Sequence, residues 1–196
     1  QLFISQKIVK RGTAILKAKL HFDNNGNIKN NFEITGRIKD LSLRLLNEEK
    51  LENINTKFKI TDRGLQTQNI KLNYLGLEVL SKEIAVNKKK GFYDISGSFR
   101  NKSSDLPDKI IKPFFKKKIF ENIIFSSENT FSLNISKKYK ISNLKLKSKI
   151  ILDDASFIFE AKNLKNIIPD YNDSTKFKNH EINFEYDQDL KLSGKG

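Results

Sequence analysis

Residues 32–43 read Phe-Glu-Ile-Thr-Gly-Arg-Ile-Lys-Asp-Leu-Ser-Leu. Every second residue is apolar or glycine up to Lys39, and after Asp40 the alternation continues in the opposite phase with Leu41 and Leu43. Strict alternation is typical of a β-strand with one buried face. A change of phase inside such a strand predicts a bulge or bend. The stretch therefore predicts a bent strand of an antiparallel sheet.

The same alternation recurs along the chain, with turn residues between the runs, as at residues 23–27 and 61–64. We count about a dozen strands at the spacing of an all-β array. The first run is expected to end at Arg11 and Gly12, and Asp153 with Asp154 is expected to form a turn. The predicted fold class is mainly β: a long antiparallel curled sheet or half-open groove.

A single helical segment is predicted near residues 106–121, where apolar residues recur at spacings of three to four. Pro113 indicates a kink or two short helices. The segment is either a helix that plugs one mouth of the sheet, which is the more ordinary interpretation, or a membrane-interface helix. In the second case the interfacial residues are Lys112, Phe114, Phe115, Lys116, Lys117 and Ile119.

The 196 residues suit one section of a larger repetitive β-sheet protein better than two unrelated domains. A sub-boundary is expected at the helical segment, residues 103–125. Residues 192–196 look like a strand cut short, so we expect the chain to be an excised region of a longer protein.

The residues that usually carry catalysis are scarce or scattered. Cysteine is absent, and the two histidines, His21 and His180, lie far apart in the sequence without a carboxylate cluster at metal-ligand spacing. Carboxylate pairs such as Glu48 with Glu49 fall at predicted turns, and no phosphate-binding glycine loop is found. We therefore expect no enzyme, no catalytic residues, no metal site and no cofactor.

The net charge of +14 invites an anionic partner, either nucleic acid or acidic lipid head groups. Codon bias of an AT-rich genome explains the same abundance of Lys, Asn and Ile, and we favour it over a specific anionic partner. Most Phe residues are in phase with Ile and Leu, opposite the lysines, whereas base stacking needs aromatic rings beside the charge. Nucleic acid is therefore an unlikely partner.

One face of each predicted strand is apolar, and a sheet with that pattern must cover the face or carry a ligand on it. A closed sandwich or barrel would hide these residues, whereas a half-open curled sheet would leave a groove for acyl chains. Periodicity alone favours a packed core, because most alternating strands build one.

Residues 32–43, together with residues 64–65 and 69–72, resemble the AsmA-like family, which includes AsmA, TamB and YhdP of the Gram-negative envelope. The closing residues 182–184 and 190–196 are similar to the repeated strand-and-glycine pattern of that family. The resemblance implies a periplasmic groove, anchored to the inner membrane by a segment outside this chain. Such a groove shields phospholipid acyl chains on their way to the outer membrane.

By match of phase, the resemblance implies ten groove-lining positions: Phe32, Ile34, Ile38, Leu43, Phe58, Ile60, Ile70, Leu72, Tyr93 and Ile95. The predicted function is lipid binding or transfer that supports phospholipid transport and envelope integrity. The alternatives are an assembly-scaffold domain with a closed core and, less favoured, a basic nucleic-acid-binding β protein.

Overall fold

The computed structural model describes residues 9–44, 49–111, 120–158 and 174–196. In this part of the chain, 80% of the residues lie in strands, and the strands form a single antiparallel sheet that does not close into a barrel. The predicted fold class is therefore confirmed. The strands are β1 Val9–Lys19, β2 Glu33–Arg44, β3 Lys50–Thr61, β4 Gly64–Tyr74, β5 Leu77–Lys88, β6 Phe92–Asp105, β7 Phe120–Ser136, β8 Ile141–Ile158, β9 Ser174–Asp187 and β10 Asp189–Lys195.

The ten described strands lie in chain order from β1 to β10, each hydrogen-bonded only to its neighbours in the chain. A helix of four residues, α1 Asp108–Ile111, follows β6 within the predicted helical segment. Residues 112–119, with all six predicted interfacial residues, lie outside the described part. The sheet itself continues across the segment, since Ser104 of β6 pairs with Phe125 of β7.

Two predicted breaks are wrong. Arg11 and Gly12 lie inside β1, where Gly12 adopts a φ of 142° opposite Leu41. Asp153 and Asp154 lie inside β8. There β7 pairs as Ile124↔Asp154 and then Phe125↔Leu152, which leaves Asp153 as an extra, unpaired residue of a bulge. A bulge accommodates one additional residue without ending the strand. Residue pairs that are typical of turns can therefore lie inside a paired strand.

Cross-strand pairing shows which side chains share a face, because directly opposed residues point to the same side of an antiparallel sheet. Two rows of paired residues that run across the sheet are almost entirely apolar. The first contains Ala18, Ile34, Ile60, Leu65, Val86, Ile95 and Leu133. The second contains Leu16, Gly36, Phe58, Thr67, Ile84, Gly97, Phe131, Leu146, Tyr186 and Leu190. We call this side of the sheet the apolar face and the other side the polar face.

A line of bulges keeps the apolar face continuous. Asp40, Asn53, Asn69 and Asn179 have φ values of 50°, 53°, 53° and 54°, and the register shifts beside the first three. Asn and Asp tolerate this left-handed conformation better than other residues that carry a side chain. The bulge at Asp40 confirms the bend that the phase change predicted.

The conformation of Asn69 gives a stability prediction. Asn69→Val should lower the free energy of unfolding by about 1–2 kcal/mol relative to Asn69→Gly, because glycine adopts a positive φ without steric cost. Urea denaturation of both variants measures the difference. Equal stability of the two would mean that the bulge relaxes to an ordinary strand conformation.

Charged side chains pair on the polar face. Its ion pairs in the described part include Lys147 Nζ–Glu185 Oε1 at 2.7 Å and Lys149 Nζ–Glu181 Oε2 at 2.8 Å, which join β8 to β9. Hydrogen bonds from the two lysines lower the pKa of Glu185 and the pKa of Glu181 below the ordinary value of 4.5. These exposed pairs stabilise the sheet weakly.

The lowered carboxyl pKa values set the direction of a pH effect. A carboxyl whose pKa is lower in the folded state contributes stability above about pH 4.5 and loses that contribution as the pH falls through the folded value. We expect a lower melting temperature at pH 3 than at pH 7 in low salt. The variant with both Glu181→Gln and Glu185→Gln should show a smaller difference between the two pH values. An unchanged difference would assign the acid sensitivity to other groups.

Candidate apolar trough

The apolar face is not covered by a second layer in the described part of the chain. The buried apolar side chains there are only Ile54, Ile70, Leu77, Ile123 and Ala155, and none of the larger ones is fully buried. The chain exposes 14927 Å², about one and a half times the roughly 9,500 Å² expected of a compact protein of this size. The sheet therefore presents its apolar side chains to whatever occupies the space above them.

The sheet curls around that space. A single cavity of about 1090 Å³ is lined by residues from β4 to β10. On a flat sheet β4 and β10 would lie about 29 Å apart, at 4.7–4.9 Å between neighbouring strands. One cavity bordered by both strands requires the sheet to bend toward its apolar face. The result is a trough that is open along its length, with β4 and β5 as one wall and β9 and β10 as the other.

The cavity is crossed by one set of apolar-face side chains, which we call the inner row. Its members from β6 to β10 pair in succession, and the pair Ile70↔Ser81 from β4 and β5 borders the same cavity. The inner row consists of Ile70, Ser81, Phe99, Asn129, Ser148, Phe184 and Leu192. Its apolar members surround a polar centre formed by Asn129 and Ser148.

Nine of the ten predicted lining residues lie at apolar-face positions of strands. Three of them, Ile34, Ile60 and Ile95, belong to the row that begins with Ala18. The other six lie on the same side of the sheet: Ile38, Leu43, Phe58, Ile70, Leu72 and Tyr93. Phe32 precedes β2 and lines a separate cavity of about 450 Å³ with Leu65. Ile70 is the one member of the predicted set among the residues that line the larger cavity.

Sequence reasoning missed the polar centre of the inner row. Ser148 stands at an apolar-phase position between Leu146 and Ile150, and Asn129 stands two residues before Phe131. A polar residue at a position where alternation calls for an apolar one is the signal that could have found them. Phe99 and Phe184 do follow the alternation, but their approach to one cavity depends on the curl of the sheet.

The polar side chains at the floor of the trough form a hydrogen-bonded ladder across β6, β7 and β8. Ser148 Oγ donates to Asn129 Oδ1, and Asn129 Nδ2 donates to Ser127 Oγ at 2.8 Å. Ser127 Oγ donates to Asn101 Oδ1 at 2.5 Å. Asn101 and Asn129 are buried, with 8% and 7% of their surfaces exposed. Buried polar groups need such partners, and the ladder supplies them.

The charged ends of the paired lysines lie on the polar face. Lysines that form ion pairs include Lys59, Lys71, Lys145, Lys147 and Lys149, each at a polar-face position next to an apolar-face residue in its strand. Lys71, Lys147 and Lys149 border the cavity beside the inner-row residues. Their Nζ atoms contact Glu or Asp side chains on that same face. Aromatic rings and paired lysines are therefore on opposite sides of the sheet, as the alternation predicted.

Within the described residues, no helix has the length and apolar composition needed to cross a bilayer. No group of three or more His, Cys, Asp or Glu side chains is placed there to hold a metal ion. Comparison of the chain with protein-family models, with curated proteins and with solved structures finds no match, so no family is assigned to it.

Proposed function

We propose that the chain is a lipid-binding or lipid-transfer β-groove that carries acyl chains along its apolar face. The observation that carries the proposal is the uncovered apolar face of an open, curled sheet. Leu16, Leu190 and Leu192 on this face are 59%, 63% and 70% exposed. Exposed apolar surface of this extent marks a binding site for an apolar partner.

The shape of the trough favours an elongated ligand. Its cavity of about 1090 Å³ is slightly larger than the roughly 300–1,000 Å³ found for small-molecule sites, and it is open along the sheet. Each methylene removed from water contributes about 0.8 kcal/mol, so a chain of many methylenes would bind strongly without any charged contact. Acyl chains have this form.

The setting implied by the sequence resemblance extends the proposal. In the periplasm, with an inner-membrane anchor supplied by a segment outside this chain, such a groove would support phospholipid transport between the two membranes and envelope integrity. A scaffold domain with a closed core is less favoured, because the sheet is open. Nucleic acid is less favoured because Phe58, Phe99, Phe131 and Phe184 lie opposite the paired lysines.

Mass spectrometry of organic extracts from the purified protein tests the proposal. We expect phospholipid in stoichiometric amount, well above a soluble β protein prepared from the same cells. The variant with Ile34→Asp and Phe58→Asp should lose most of it, because both carboxylates enter the apolar face. The matched control is Thr35→Asp with Gln66→Asp. It adds the same charge at neighbouring positions on the polar face and should retain the lipid. Lipid no richer than in the unrelated protein would contradict the proposal.

A further inference from the structure

The ladder on the trough floor has an uneven balance of donors and acceptors. Asn129 Nδ2 uses its two hydrogens on Ser127 Oγ and on the carbonyl oxygen of Phe99, at 2.8 and 3.2 Å. Asn101 Nδ2 uses its two on the carbonyl oxygens of Lys102 and Phe125, at 2.9 and 3.2 Å. The hydroxyl hydrogens of Ser127 and Ser148 are used on Asn101 Oδ1 and Asn129 Oδ1. All six side-chain donor hydrogens of the ladder are thus spent within the protein.

The acceptor oxygens of the ladder still have free lone pairs. An amide oxygen or a hydroxyl oxygen has two lone pairs, and each of Asn101 Oδ1, Ser127 Oγ and Asn129 Oδ1 receives one hydrogen bond. Ser148 Oγ donates one bond and has both lone pairs left. Ser81 Oγ, in the same inner row, also donates to a carbonyl oxygen, that of Glu83 at 3.2 Å. The polar centre of the inner row therefore offers acceptors and no spare donor from its own side chains.

A purely structural role does not explain where this ladder lies. Ion pairs that fix strand register, such as Lys147 with Glu185 between β8 and β9, lie on the polar face, where no apolar ligand would cover them. The ladder instead lies on the apolar face, at the floor of the cavity and between Phe99 and Phe184. Its polar groups would lose their water whenever an apolar ligand covers them. Acceptors stripped of water without a new donor destabilise the complex.

We propose that the Asn129 and Ser148 end of this ladder is a polar subsite that selects, among acyl lipids, those with a hydrogen-bond donor in the head group, next to the chains. A hydroxyl, an amide N–H or a head-group ammonium meets this requirement. The acyl chains lie on the apolar residues to either side, and the donor satisfies the free lone pairs of Asn129 Oδ1 and Ser148 Oγ. This inference rests on the proposed function and names the chemistry of its ligand.

Two neutral probes that differ in one donor test the subsite. 1,2-Dioctanoylglycerol has a free hydroxyl, and its 3-O-methyl ether has the same chains without that hydrogen. Both are titrated against the protein loaded with a pyrene-labelled diacylglycerol, and displacement is followed by fluorescence. We expect the free hydroxyl compound to bind about 2- to 12-fold more tightly, which corresponds to one net hydrogen bond.

Variants assign the preference to the ladder. The change of both Asn129→Leu and Ser148→Val should reduce the preference to about one while the methyl ether still binds. Ser148→Thr keeps the hydroxyl and should keep the preference. Thr67→Val is the matched control, because Thr67 lies on the same face, outside the ladder, and donates to the carbonyl oxygen of Ile84 at 3.1 Å. It should also retain the preference.

The outcomes separate this inference from the proposed function. Equal affinity of the two probes for the unmodified protein would overturn the subsite and leave lipid binding intact. A preference that survives the double change would place the selecting group elsewhere and overturn the subsite as well. Failure of both probes and of the pyrene lipid to bind would overturn the proposed function and the subsite together. If the double variant does not fold, Ser148→Val alone takes its place: it removes one of the two acceptors and should reduce the preference, and an unchanged preference would overturn the subsite.

Discussion

Phe184→Asp is expected to weaken the binding of a neutral pyrene-labelled diacylglycerol by about 100-fold or more. Phe184 lies on the inner row between Ser148 and Leu192, in the wall of the trough that β9 and β10 form. A carboxylate at this place would lose its water under an acyl chain without gaining a cationic partner, which costs several kcal/mol. A factor of 100 corresponds to about 2.7 kcal/mol. Fluorescence titration measures the change.

The control for this variant is Ser132→Asp in β7. It adds a carboxylate on the polar face, opposite Lys145 and outside the cavity lining, and should bind the probe like the unmodified protein. A neutral probe is used so that the basic polar face adds no attraction of its own. Equal weakening by both variants would point to a general charge effect, and no weakening by Phe184→Asp would place the acyl chains outside the cavity.

Thr130→Pro is expected to lower the free energy of unfolding by about 3 kcal/mol or more and to abolish lipid binding. Thr130 lies in the middle of β7 and pairs with Ser98 of β6 and Lys147 of β8. Proline lacks the backbone donor, and its ring clashes with neighbouring backbone, which costs about 3 kcal/mol in a helix interior. A strand paired on both sides accommodates it no better. Urea denaturation with circular dichroism measures the loss.

The effect should be large because the described sheet has no second layer. Each described strand between the edge strands β1 and β10 is held by its two neighbours in the chain, so a break at β7 separates β1–β6 from β8–β10 and removes one wall of the trough. Thr130→Val, which keeps the backbone donor and has high β propensity, is the control and should fold and bind normally. A folded, lipid-binding Thr130→Pro variant would mean that packing outside the β7 ladder holds the two halves together.

Much of the sheet could be predicted from local pattern. The alternation of Ile34, Gly36 and Ile38 follows directly from the two-residue period of a strand, and the phase change at Asp40 predicted a bulge or bend there. The bulges at Asn53 and Asn69 were not predicted. Polar residues in this chain are so common that an asparagine in left-handed conformation gives no local signal that distinguishes it from one in a strand or turn.

The predicted breaks at Gly12 and Asp153 failed for a related reason. Glycine and paired aspartates are typical of turns, but a turn requires the following strand to reverse direction and pair with the preceding one. Whether that happens depends on the partner strands. Leu41 of β2 lies against Gly12, and Ile124 and Phe125 of β7 hold β8 on either side of Asp153, so each segment continues as one paired strand.

The sequence by itself determined the fold class, the antiparallel pairing and the side of each strand that carries apolar residues, because all three depend on a two-residue period and on short turns. Only the tertiary structure decided that the sheet stays open, that it curls toward its apolar face, and that Phe99, Asn129, Ser148 and Phe184 meet in one cavity. These features arise from the accumulated twist and bend of ten strands. Twist and bend sum over residues far apart in the chain, so no local pattern contains them.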